Sequence, residues 1–153
     1  MSVQQAVLTD VISDIVETLA MMGLEVAHEF RDFVPDFIGH IDFEGTVRGR
    51  LFIECTDEFA DTLAENLLGL ESSELDESHK WDAIGELLNV ICGNLVTELF
   101  DSKNSFTLSV PQVSVIDSGA NSGEGQLLMR DSQYCAECFI DGFPVRFTLK
   151  LDS

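Results

Sequence analysis

The segment YCAECFIDGFPVRFTLKL, residues 134–151, limits what this chain can fold into more than any other stretch. Apolar and polar side chains alternate on both sides of Asp141-Gly142, and an Asp-Gly pair between alternating runs is a strong signal for a two-residue hairpin. A strand pair with an apolar face must cover it. A second alternating pair, FIGHIDFEG and TVRGRLFIEC, turns at Glu44-Gly45 and predicts another hairpin. The chain therefore needs an antiparallel sheet and amphipathic elements to lie on it.

Those elements are legible as helices. Val3, Val7, Val11, Ile15, Leu19 and Met22 share one helical stripe, and Gly23 is suited to end it. Thr56 predicts an N-cap for TDEFADTLAENLLGL, with acids in the first turn and Gly69 near the end. The polar stretch ESSELDES connects this to a long helix from Ser78 to Phe100. LEVAHEF reads as extended, as do SFTLSVP, VSVI and QLLMR, the last two flanking a loop, SGANSGEG. This order predicts an α+β fold, an antiparallel β-sheet with helices packed on it. It also shows a weak internal duplication, each half being a long helix followed by hairpins. No linker or low-complexity tract divides the chain, so residues 1–153 are expected to form a single domain.

Charge narrows the function. The chain carries 28 Asp plus Glu against 8 Lys plus Arg, a net charge of −20. Such a surface repels nucleic acid and anionic lipid and offers few groups to hold a free phosphorylated metabolite. No apolar run approaches the ~18 residues of a membrane span, and the N-terminus lacks the basic start of a signal peptide. A cytoplasmic protein with no nucleic-acid and no membrane partner is expected. Cys135 and Cys138 form a lone C-x-x-C, but residues three apart in a strand point to opposite faces. With no second ligand pair to complete a zinc site, they are expected to be small strand residues, and no metal site is predicted.

The long helix has two distinct faces. At about 100° per residue from Asp82, Glu86 falls near 40°, Asn89 near −20° and Gly93 near 20°, with Gly85 at about −60°. Ile84, Leu87, Leu88, Ile91, Leu95 and Leu99 occupy the other side. Each mid-helix glycine costs roughly 1 kcal/mol relative to alanine. Two of them beside a polar stripe permit close approach of another backbone, from this protein's sheet or from a partner. By spacing alone such a stripe is ordinarily a solvated face. No nucleophile presents itself. Cys92 points to the apolar side, His28, His40 and His79 have no triad spacing, and SGANSGEG lacks the lysine and helix of a phosphate loop. His28 and His40 are expected in strands, and His79 as a solvated residue of the first helical turn.

The constellation Asp82, Glu86, Asn89 and then Pro111, in the context GELLNVICGN and FTLSVP, resembles the CheC/CheX/FliY family of chemotaxis phosphatases, the CheX-like branch most. The similarity extends along most of the chain and implies a single CheX-like domain. It implies hydrolysis of the aspartyl phosphate of a phosphorylated CheY-like response regulator, in chemotaxis or related two-component signalling. In that reading Asn89 positions the water and Glu86 pairs with a partner lysine. Asp82, Gly85 and Gly93 contribute to partner binding, and Pro111 sets the strand entry behind the helix. The divalent metal, Mg, comes with the partner, so the chain needs no cofactor of its own. Laying Glu17 on the motif Glu puts Ala20 at the motif Asn, so one site and not two is implied. The resemblance also implies a homodimer. The competing reading is a non-catalytic interaction module of the same fold, of the response-regulator-binding or flagellar-switch kind.

Overall fold

The structure is a computed structural model and describes residues 2–26, 32–100, 105–116 and 133–152. His28, the second half of LEVAHEF, and the stretches SGANSGEG and QLLMR, expected as a loop and a strand, lie outside the described residues. The elements run α1 (Val3–Ala20), β1 (Leu24–Val26), β2 (Phe37–Glu44), β3 (Arg48–Cys55), α2 (Asp57–Leu68), α3 (Glu77–Leu99), β4 (Thr107–Leu108), β5 (Gln112–Val115), β6 (Gln133–Ile140) and β7 (Phe143–Leu151). This is the expected α+β class, with the described strands in one antiparallel sheet.

Both predicted hairpins form. Ile140 faces Phe143 across Asp141-Gly142, whose φ values of 49° and 83° are the pair of positive angles a tight hairpin turn demands. Glu44 faces Arg48 across the second turn. The sheet order β1-β6-β7-β3-β2, with β4 and β5 both on β2, has an approximate twofold at its centre, where β7 meets β3. Each long helix is followed by a short edge strand that crosses to the other half's hairpin: β1 joins β6, and β4 with β5 joins β2. The weak duplication is therefore real in the topology, and the exchange of edge strands ties the halves together.

The helices cover one face of the sheet. Ile41, Leu51, Ile53, Val145, Phe147, Leu149 and Ile140 meet Leu8, Ile12, Phe59, Leu63, Ile84, Leu87 and Leu88 in one buried cluster. Alternation places Glu54, Arg146 and Thr148 on the opposite face. There Arg146 holds Glu137 at 3.0 Å, Asp32 at 2.8 Å and Glu54 at 3.6 Å.

Three expectations need correction. α1 buries Leu8, Val11, Ile12, Val16 and Ala20, while Val3 is 74% exposed. The predicted stripe was rotated by roughly a quarter turn. Apolar residues fill more than one i, i+4 row of this helix, and contact with α3 and β6 selects the row. α1 also ends before Gly23: Met21 takes the left-handed cap at φ 56°, so that the following Met22 is buried. Met22 N–H closes the end by donating to Val16 C=O at 2.9 Å. Finally, SFTLSVP is not one strand: it pairs only at Thr107–Leu108, and the pairing breaks off before resuming at Gln112.

Candidate functional site

α3 starts where its sequence can satisfy the free N–H groups of a first turn. The Asp76 carboxylate accepts from His79 N–H at 3.0 Å, and Asp76 N–H donates to His79 Nδ1 at 3.2 Å, a reciprocal cap. His79 is thus at the helix start as expected, though capping and not simply solvated. Hydrogen bonds from the Ser78 hydroxyl and the His79 N–H hold the Asp76 carboxyl below its ordinary range. One residue on, Lys80 reaches Asp57 at 2.9 Å, Asp61 at 3.3 Å and Glu77 at 3.4 Å, pinning the start of α3 to the start of α2.

Gly39 sets the seat of the helix on the sheet. A Cβ there would lie 3.0 Å from Leu88 Cδ1 and 3.2 Å from Ile53 Cγ2, so α3 packs closer to β2 than a side chain would allow. Ile84, Leu87, Leu88, Ile91 and Leu95 are fully buried against it, and Leu99 is partly so. Asp82, Glu86 and Asn89 emerge on the other side, all exposed. Their side chains have no hydrogen-bond or ion-pair partner among the described residues.

A groove of about 570 Å³ runs beside this stripe. One wall is α3, with Trp81, Asp82, Gly85, Glu86 and Asn89; the other is Ser109 to Val113. That second wall contains a bulge. Leu108 faces Phe43 and Gln112 faces His40, so three residues, Ser109, Val110 and Pro111, oppose two on β2. Ser109 anchors the bulge: its N–H donates to Asp42 C=O and its hydroxyl accepts from Asp42 N–H, both at 2.9 Å. Pro111 lies against the helix, as expected of a residue behind it. Within this protein it is side chains that come near the two glycines: a Cβ at Gly85 would meet Pro111 Cβ at 3.5 Å, and one at Gly93 would meet Leu108 Cδ1 at 3.9 Å. Both are ordinary contacts, so each position has room for a methyl group. Val110 could not be found from the sequence because a bulge leaves no period to detect, and Trp81 because it lies one residue before the polar stripe and only the facing bulge makes it a groove wall.

The other reactive groups stand apart. Burial pushes the Cys92 and Cys138 thiols up to about 12 and raises that of Cys135. These thiols stay protonated at neutral pH and supply no nucleophile. Cys138 faces the core and the half-buried Cys135 the opposite side of β6, as the strand period requires. His40 lies on the outer face of β2, its ring 5.8 Å from that of Phe52. Among the described residues no three His, Cys, Asp or Glu side chains are placed to hold a metal ion.

α1 carries the counterpart of the groove. When Leu8 is laid on Ile84, every buried residue of α1 falls on a buried residue of α3. Gln5, Ala6, Thr9 and Asp10, which line a second groove against β1 and β6, then fall on Trp81, Asp82, Gly85 and Glu86. In this register Asp10 and Ser13 stand at the Glu86 and Asn89 positions. The sequence-based superposition of Glu17 and Ala20 fails because Ala20 is fully buried. The second groove is also bridged: the Gln5 side-chain amide donates to Cys135 C=O and accepts from Cys135 N–H.

A family model described as chemotaxis phosphatase CheX matches residues 37–127. Comparison with curated proteins finds no match. Among solved structures, the chemotaxis protein CheX from Vibrio vulnificus is 17% identical with a TM-score of 0.75, over 99% of this chain and 97% of that one. CheX from Desulfovibrio desulfuricans is 15% identical with a TM-score of 0.74, over 97% and 99%. The CheX–CheY–BeF3–Mg complex from Borrelia burgdorferi matches at 17% identity and a TM-score of 0.65, over 97% of each chain.

Proposed function

The chain belongs to the CheX chemotaxis phosphatase family, the matched residues 37–127 being more than half of it, and from that premise we propose that it hydrolyses the aspartyl phosphate of a CheY-like response regulator. One observation carries the assignment to residues: Glu86 and Asn89 stand one turn apart, exposed and without a partner among the described residues, on a helix held at its start by Lys80 and along its buried face by the core. Among the described residues, the ion pairs of α3 gather at its start, around Lys80 and Asp76, and the groove stripe has none.

The chemistry suits so sparse a site. An acyl phosphate is already reactive, and what remains is to hold a water in line with the phosphorus. The Asn89 carboxamide can accept from and donate to that water without taking its proton. Glu86, one turn nearer the helix start, pairs with a lysine beside the phosphoaspartate and sets the register of docking. Asp82 extends the same anionic edge by a further turn. The divalent cation, Mg, belongs to the partner's phosphate site and supplies charge neutralisation there. We propose further that residues 1–153 act as one domain within a homodimer. Sedimentation that finds only monomer at micromolar concentration would remove the dimer.

The test follows the phosphorylated receiver domain over time. Wild type is expected to accelerate loss of phosphate, and Asn89→Ala to lose on the order of 100-fold of that acceleration. Full acceleration by Asn89→Ala would reject the assigned role. Tight binding of the receiver by wild type with no acceleration would instead establish the interaction-module reading.

A further inference from the structure

The polar stripe fills only the centre of the groove. Its two rims are apolar and exposed, Trp81 at 40% on the helix and Val110 at 76% on the bulge. Trp81 is the only tryptophan of the chain. It lies at about −100° from Asp82 around the helix, on the Gly85 side and so toward the bulge. Val110 is not loosely held. Ser109 ties it to Asp42 by two hydrogen bonds on one side, and Gln112 pairs with His40 on the other. Bulges near active sites commonly re-aim a side chain, and here the extra residue sends a valine into water.

We propose that Trp81 and Val110 are the two jaws of a specificity pocket, taking an apolar side chain of the receiver domain that Asn89 serves. This rests on the function proposed above and adds a requirement on the partner. The occupant is set by charge as well as shape. Among the described residues the groove walls bring Asp82 and Glu86 and no cation, so the surface that enters must present positive charge at the centre and an apolar group at the end. Trp81 precedes Asn89 by eight residues, about 12 Å along the helix at 1.5 Å per residue. The receiver must therefore carry its apolar side chain about that far from its phosphorylated aspartate. Regulators with a charged residue there are rejected by desolvation against the indole. Large aromatic side chains closed off from water are where binding energy tends to concentrate.

The experiment uses the full chain and the single-domain receivers of the same organism, with their own tryptophans replaced by phenylalanine. Titration with a receiver activated by beryllofluoride and magnesium is expected to shift the Trp81 emission to the blue as the indole leaves water. In the phosphatase assay, Trp81→Ala and Val110→Asp are each expected to raise KM for the phosphorylated receiver about tenfold or more, with turnover at saturation retained. Trp81→Phe should recover most of the loss. Val34→Asp, at a position 82% exposed outside the groove, should leave KM unchanged. Acceleration by wild type with no emission shift and no KM change in either jaw variant overturns the pocket and leaves the proposed function standing. Failure of wild type to bind or dephosphorylate any receiver overturns both.

Discussion

The two halves of the molecule build the same groove and finish it differently. In the α3 half, an aromatic, two acids and an amide surround open space, and none of the polar side chains has a partner among the described residues. In the α1 half, Gln5 stands at the Trp81 position and docks its amide on the Cys135 backbone, as a neighbouring strand would. Ala6 replaces Asp82, Asp10 replaces Glu86 and Ser13 replaces Asn89. Each change shortens a side chain or removes its charge or amide. A shared scaffold thus yields one groove left unbridged and one bridged to its own sheet by Gln5. Backbone similarity between the halves says nothing about equivalence of function; side-chain reach and occupancy decide it.

Exchanging residues between the halves gives the largest expected effect. Glu86→Asp with Asn89→Ser, which copies α1 into α3, should cost on the order of 100-fold in phosphatase rate, because neither shortened group reaches its target. The reverse exchange, Asp10→Glu with Ser13→Asn in an Asn89→Ala background, should recover nothing while Gln5 spans the groove. Recovery measured in the same assay would break the comparison.

Gly39→Ala tests what seats α3. Its Cβ would press on Leu88 and Ile53, and a loss of about 1–3 kcal/mol is expected in denaturant titration. The helix glycines should do the opposite. Gly85→Ala and Gly93→Ala meet only ordinary contacts, so each is expected to raise stability by up to about 1 kcal/mol. If either variant is more stable yet loses activity, a partner's backbone approaches that glycine. If activity stays intact, the glycine serves Pro111 or Leu108 alone.

The far face of the sheet provides the smallest and most selective check. Burial holds the Glu54 carboxyl above its ordinary range, with Arg146 opposing the shift. A carboxyl raised in the folded state stabilises the fold fully below its unfolded pKa and loses that contribution as pH rises through its folded value. Glu54→Gln cannot ionise, and Arg146 keeps Glu137 and Asp32. The variant should be slightly more stable than wild type at pH 7, the difference shrinking below about pH 4. Dephosphorylation should not change, since neither Glu54 nor the Arg146 and Glu137 beside it line the α3 groove.

Much of this was readable in one dimension. The Asp141-Gly142 turn forms as predicted because an isolated dipeptide already prefers those backbone angles. The face of α3 was equally legible, since its apolar residues occupy one broad sector and leave Asp82, Glu86 and Asn89 a clear side. α1 misled for the same reason in reverse: apolar residues surround much of its circumference, and no period favours one row. The cap on α1 was misplaced because glycine is the usual left-handed residue, whereas Met21 accepts that strain to place Met22 in the core.

Local pattern, then, sufficed for the hairpins, the class of fold, the exposed stripe and the family to which it points. Those depend on neighbours within a turn or two of chain, whose interactions are the same wherever the segment is put. Which groove is bridged, what lies against Gly85, and that Trp81 and Val110 line one groove were decided only by tertiary structure. Each depends on an edge strand crossing from one half to the other half's hairpin, and on one extra residue in a strand pairing. Those contacts join residues far apart in sequence, and no local preference encodes their register.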